Sequence, residues 1–171
     1  MTDKEQKNSL IKMVPNRIGN KVAELDFPDL EEGPVIAIQT PIEDIEAMDE
    51  WNTNQHNKSG LVERIKNSSY TYNDAQQMTI EFLTKYIDKN KSPMCGSGIC
   101  QDRRFLARCM PVLEDFFHYR NLDVSTIKEL VNRWYPDKKF KKDPQHIALE
   151  DIKDSIEELK HYRNAIFLDI A

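Results

Sequence analysis

Apolar residues recur along this chain at two spacings, which divide it into short strand-like runs and longer helical stripes. Residues 35–38, Val-Ile-Ala-Ile, follow the turn signal Glu32-Gly33-Pro34 and predict a strand. Ile42, Ile45, Met48 and Trp51 recur every third residue, so a short helix is expected there, opened by Pro41 and closed at Trp51. A polar connection with His56, Ser59 and Gly60 then runs to Ser69, with a helical turn over residues 61–65. The stripe Ala75, Met78, Phe82, Leu83 and Tyr86 predicts a helix capped by Asn73 or Asp74.

Residues 91–98 read as a short buried strand entering a glycine turn, with a helix beginning near Gln101 or Asp102. That order brings backbone N–H groups and a carboxylate to one rim. Phe105, Leu106, Cys109, Leu113 and Phe116 form the buried face of the helical region, which Pro111 interrupts. Residues 117–122 predict a strand with alternating faces. A further helix opens between Asp123 and Thr126, where Thr126 and Glu129 have capping-box spacing, and Pro136 stops it. A solvated basic loop over residues 138–142 follows.

The last helix has Ala148, Leu149, Ile152, Ile156 and Leu159 as its apolar stripe, with Asp151 at the edge beside Ser155 and Tyr162. His146 precedes Asp151 in the loop entering that helix, which sets a base beside a carboxylate suited to a metal ion. The start of the chain is less regular. Residues 1–9 are polar, and residues 10–14 and 21–26 are weak strand candidates interrupted by Pro15, Gly19 and Pro28. Strands interleaved with helices imply an α/β domain.

Composition narrows the function classes. A chain of 171 residues with 39% hydrophobic content buries one sizeable core, so a single domain over residues 1–171 is expected. No apolar run reaches eighteen residues and no secretory pattern opens the chain, which predicts a cytoplasmic protein without a membrane partner. Cys95, Cys100 and Cys109 lack zinc-site spacing and read as reduced, mostly buried thiols. The net charge of −5 disfavours a broad basic surface for long nucleic acid. A short anionic substrate held with divalent cations fits that balance.

Several ordered blocks resemble one family. Trp51-Asn52, Ser59-Gly-Leu-Val-Glu-Arg64, Lys91-Ser-Pro with Gly96, Gln101-Asp-Arg-Arg-Phe105, Phe117-His-Tyr-Arg120, Leu122-Asp-Val-Ser-Thr126 and the run from His146 to Asp151 with Ser155-Ile-Glu-Glu-Leu159 are similar to oligoribonucleases. These are 3′-to-5′ exoribonucleases of the DEDDh group. The likeness implies a ribonuclease H-like fold, a mixed sheet flanked by helices, and a homodimer acting on very short RNA oligonucleotides with two Mg²⁺ or Mn²⁺ ions. Carried over by position, it implies Asp102 and Asp151 as metal carboxylates and His146 as general base. It also implies that Trp51 stacks on a base and that His56 lies near the 3′ end. Tyr119 and Arg120 would reach the partner subunit's site, with Arg120 and Ser125 grasping a 5′ phosphate. Structural alternatives for the same positions are a core anchor for Trp51, a strand pair for Tyr119 and Arg120, and a helix cap for Ser125.

Residues 1–32 depart from that pattern. The family opens on a strand carrying Asp-x-Glu; if Leu10-Ile11 is aligned with that strand, Val14 and Asn16 stand where its Asp and Glu would be, and neither brings a negative charge to a cation. The leucine that would face Trp51 across a substrate base also has no clear counterpart. Glu24 and Asp26 form the nearby alternate-residue acidic pair. Ser97 and Gly98 replace the family's usual Asn and Ser, which removes a hydroxyl from the phosphate grip. The sequence therefore leaves three expectations open: a replacement metal ligand, a chain whose usual N-terminal strand is missing, or a catalytically silent relative.

Overall fold

The computed structural model describes residues 31–141 and 148–167. The candidates at residues 10–14 and 21–26, together with Val14, Asn16, Glu24, Asp26 and His146, lie outside the described residues.

Two parallel strands lie at the centre of the described fold. β1 (Pro93–Gly96) pairs with β2 (His118–Asp123), with Met94 opposite Asn121, Cys95 opposite Leu122 and Gly96 opposite Asp123. Parallel pairing requires a crossover. Here it is formed by α5 (Ile99–Cys109) and α6 (Pro111–Glu114), and Pro111 occupies the first turn of α6, where its missing N–H costs nothing. Ahead of the sheet lie α1 (Ile42–Glu46), α2 (Glu50–Lys58), α3 (Leu61–Lys66) and α4 (Tyr72–Leu83). After it come α7 (Val124–Trp134), a 3-10 turn at Pro136–Lys138, and α8 (Ala148–Ile166). The domain is α/β, as the interleaved pattern predicts.

Four readings of the pattern are corrected. Residues 35–38 form no strand. Among the described residues their ties are to scattered partners, with Ser68 Oγ donating to the Ala37 carbonyl at 2.5 Å and Thr40 Oγ1 to the Ile38 carbonyl at 3.2 Å, so β-branched residues alone do not make a ladder. Among the described residues the sheet consists of the parallel pair β1 and β2. Trp51 sits at the start of α2 and does not close α1, because Asp49 accepts the Asn52 amide at 2.9 Å and nucleates a new helix. The polar connection is therefore largely helical. β2 shows no alternation, since Tyr119, Arg120 and Asn121 are all exposed.

Caps explain the remaining boundary shifts. α4 begins earlier than expected because Thr71 and Asp74 form a reciprocal capping box, with Asp74 Oδ2 accepting from Thr71 N at 2.8 Å. The Thr71 hydroxyl also donates to Asp74 Oδ2 at 2.6 Å, and this bond and then the backbone one hold the Asp74 carboxyl below its usual range. α7 is capped by Asp123, not by a Thr126–Glu129 box.

The main core joins Leu83, Ile87, Met94, Ile99, Leu106, Leu113, Phe116 and Phe117 between α4, β1, α5 and α6, and Ile38 closes it. Gln76 is buried within it. Its Oε1 accepts the amides of Val112 at 2.9 Å and Leu113 at 3.1 Å, so a polar side chain on the α4 stripe caps α6. A second cluster joins Val124, Val131 and Tyr162 between α7 and α8. The α8 face differs from the expected stripe: Ser155, Glu158 and Tyr162 are buried, whereas Ile152 and Ile156 are half-buried. Glu158 is tolerated there because Tyr162 Oη donates to it at 2.7 Å and Lys128 Nζ stands 3.2 Å away. The three cysteines are free thiols, but Cys100 is exposed and the other two are half-buried, so they are not core residues.

Candidate active site

Asp102 lies in the first turn of α5 and Asp151 in the first turns of α8, each half-buried. Both helices pack against β1, so one short strand relates the two carboxylate-bearing elements. The buried Ser155 hydroxyl finds its partner one turn back, donating to the Asp151 carbonyl at 2.8 Å. Carboxylate oxygens are suitable donors for hard divalent cations. Among the described residues, however, no group of three or more His, Cys, Asp or Glu side chains is arranged to hold a metal. Asp102 and Asp151 supply donors without completing a coordination shell, and His146 lies outside the described residues.

Trp51 and His56 share α2. The helix is fixed at its start by Asp49, which accepts from the Asn52 backbone at 2.9 Å and from its side-chain amide at 2.8 Å. These bonds hold the Asp49 carboxyl below its usual range. Trp51 is 58% exposed, which rules out the core-anchor reading and leaves its ring on the surface. His56 is half-buried on the same helix.

Tyr119 is 74% exposed on β2. The Arg120 guanidinium lies 5.4 Å from its ring centroid, and the His118 ring packs against it at a tilt of 32°, centroids 4.3 Å apart. Arg120 N donates to His118 Nδ1 at 3.1 Å, which fixes the local strand conformation. Beneath this row Arg103 reaches four acceptors: Nε donates to Asn121 Oδ1 at 2.6 Å, Nη1 to Glu114 Oε1 at 2.5 Å, and Nη2 to the carbonyls of His118 and Arg120.

The rim formed by the β1 turn and the α5 start is already occupied. Asp123 Oδ1 accepts from Gly98 N at 3.0 Å, Ser125 N at 3.0 Å and Ser125 Oγ at 2.7 Å, while Oδ2 accepts from Ile99 N at 3.1 Å. These helix-start amides therefore serve an internal carboxylate, that of Asp123. Ser125 is held by the cap; it is not the cap. Arg103, Asp123 and Glu158 are the residues whose roles sequence reasoning missed. Asp123-Val-Ser125 carried a usable signal, since Asp two residues before Ser favours a local side-chain cap. No pattern announced Arg103.

The exonuclease family model RNase_T matches residues 13–159. An oligoribonuclease from Dichelobacter nodosus is 54% identical over 152 residues, covering 89% of this chain and 84% of the relative. One from Legionella pneumophila is 58% identical over 136 residues, covering 78% and 73%, and one from Pseudomonas paraeruginosa is 54% identical over 145 residues, covering 84% and 81%. Likeness of this extent spans β1, β2 and the helices bearing Asp102 and Asp151, and the chain belongs to the oligoribonuclease family of exonucleases.

Proposed function

We propose that this chain acts from the 3′ end of very short RNA oligonucleotides, as a 3′-to-5′ exoribonuclease within one domain spanning residues 1–171 in the cytoplasm. The observation that carries the reading is the packing of α5 and α8, with Asp102 and Asp151, on the same strand in a chain of this family. Asp102 and Asp151 are assigned as the carboxylates for Mg²⁺ or Mn²⁺, and His146 as the base that takes a proton from the attacking water. Trp51, on the surface of α2, offers a stacking face for a base, and His56 on the same helix serves the 3′ end.

The exposure of Tyr119, with Arg120 packed over its ring, supports a role toward a second subunit, in a homodimer. Arg120 and Ser125 then meet the substrate's 5′ phosphate. No helix among the described residues is long and apolar enough to cross a membrane.

A second reading is favoured by Val14 and Asn16, which, with Leu10-Ile11 aligned on the family's first strand, stand where the family has its Asp-x-Glu pair. Under it, the chain keeps substrate recognition and the dimer while hydrolysis is impaired. The test uses a 5′-labelled tetraribonucleotide with Mn²⁺, analysed over time. Stepwise shortening from the 3′ end, suppressed by a 3′-terminal phosphate, is the expected result. Internal cleavage first, or shortening from the 5′ end, would overturn the activity assignment. Binding without shortening would select the impaired reading.

A further inference from the structure

Asp123 ends β2 directly opposite Gly96 of β1. Because parallel strands point the same way, the turns that follow them are neighbours, and one carboxylate reaches the starts of both α5 and α7. Its acceptors take the amide hydrogens of Gly98, Ile99 and Ser125 and the hydroxyl hydrogen of Ser125. A serine hydroxyl has a single hydrogen to donate. With that hydrogen directed to Asp123 at 2.7 Å, the Ser125 oxygen turns lone pairs outward, with a carboxylate behind them. An anionic phosphate is poorly received there unless the hydroxyl rotates away from Asp123.

We infer that Asp123 is a specificity-determining residue: it competes with a substrate's 5′ phosphate for the Ser125 hydroxyl hydrogen and so limits the preference for 5′-phosphorylated over 5′-hydroxyl oligonucleotides. This rests on the reading of Ser125 given above. Arg120 carries the larger share of phosphate recognition in this arrangement. Gly98 adds nothing, since it has no side chain and its amide is already taken by Asp123.

Asp123→Asn removes the charge that holds the Ser125 hydroxyl hydrogen and keeps one acceptor oxygen for the Gly98 and Ser125 amides. Its Nδ2 cannot accept from Ile99 N, and the 5′-hydroxyl ligand, which feels that lost contact equally, serves as the control. The measurement is metal-free binding of two diribonucleotides, one 5′-phosphorylated and one 5′-hydroxyl, to the full chain. Asp123→Asn should raise the affinity ratio in favour of the phosphorylated ligand by roughly tenfold, with little change for the 5′-hydroxyl ligand. Ser125→Ala should lower that ratio more in the Asp123→Asn background than in the unaltered chain, which a double-mutant cycle reads as coupling. Asp123→Ser, which keeps a short cap on α7 and removes the charge, should shift the ratio the same way. An unchanged or lowered ratio in folded Asp123→Asn and Asp123→Ser proteins would overturn the inference, as would equal loss of both ligands. Failure of the unaltered chain to bind either diribonucleotide would instead sink the substrate reading on which it rests.

Discussion

The Arg103 guanidinium and the Glu114 carboxylate meet at 2.5 Å across the turn between α5 and α6, with both side chains largely shielded from water. The other nitrogens of the same fork hold Asn121 and the β2 carbonyls of His118 and Arg120. One residue thus ties the crossover to the strand carrying Tyr119. Arg103→Lys keeps the charge and loses the fork, since a single ammonium cannot satisfy acceptors spread over two elements. The expected loss is about 2 kcal/mol, read as a lower urea midpoint at unchanged slope, with a smaller loss of about 1 kcal/mol for Glu114→Gln. Equal stability of Arg103→Lys and the unaltered chain would show that the fork contributes nothing.

The buried pair on α8 gives a prediction in alkali. Burial, then the hydrogen bond and charge of Glu158, push the Tyr162 phenol well above its ordinary value. A tyrosine in the unfolded chain ionises near pH 10, whereas the folded one resists ionisation. The folded state therefore binds more protons above that pH, so Tyr162 contributes stability that is fully present below about pH 10 and declines as pH rises further. Tyr162→Phe should cost about 1–3 kcal/mol at neutral pH, because Glu158 loses a buried donor, and should flatten the alkaline decline. Urea titrations at pH 8 and pH 10.5 check both. A decline of the same steepness in Tyr162→Phe would assign it to other groups.

How far the sequence foretold this structure differs from residue to residue. The strands at Met94 and Tyr119 and the break at Pro111 were legible, because a buried apolar run, a glycine turn and a proline each have a local cause. α2 was not. Its buried residue is Asn52, so no apolar stripe marks it, and its start depends on the Asp49 cap. Asp123 was legible as a cap on α7 but not as an acceptor for Gly98 and Ile99, since that contact exists only once Gly96 and Asp123 are in register. Glu158 breaks the hydrophobic pattern of α8 because its partner Lys128 comes from α7. Of the candidate site, residue types and order were legible, while the occupied state of the α5 amides was not.

Gly98 tests a difference between this chain and the family's usual Ser. It adopts φ 79°, the left-handed region, and a Cβ added there would meet nothing within 4 Å. The cost of Gly98→Ser is therefore conformational, about 1–2 kcal/mol, with no steric part. Gly98→Asn should cost less, because Asn tolerates that region better. Thermal unfolding of the two variants beside the unaltered chain decides it. A stabilised Gly98→Ser would mean that the turn readily adopts another backbone geometry.

The last prediction concerns metal and turnover. Asp102 and Asp151 are the two carboxylates of the proposed metal site, and if Leu10-Ile11 aligns with the family's first strand, Val14 and Asn16 add no charge to it. Two divalent ions about 4 Å apart repel with four times the unit-charge energy, itself about 4 kcal/mol near a protein surface, and anionic ligands must offset that. Weak Mn²⁺ binding and slow hydrolysis of a 5′-phosphorylated diribonucleotide are therefore expected of the unaltered chain. Val14→Asp combined with Asn16→Glu should tighten Mn²⁺ binding and raise turnover by roughly a hundredfold or more, equivalent to about 3 kcal/mol or more of barrier. Adding Asp151→Ala to that variant should abolish the gain. Calorimetric Mn²⁺ titration and product analysis of these three proteins and of Asp151→Ala in the unaltered chain supply the comparison. Robust turnover by the unaltered chain, lost in Asp151→Ala alone, would mean that other carboxylates complete the site, and Glu24 and Asp26 would be the first to substitute.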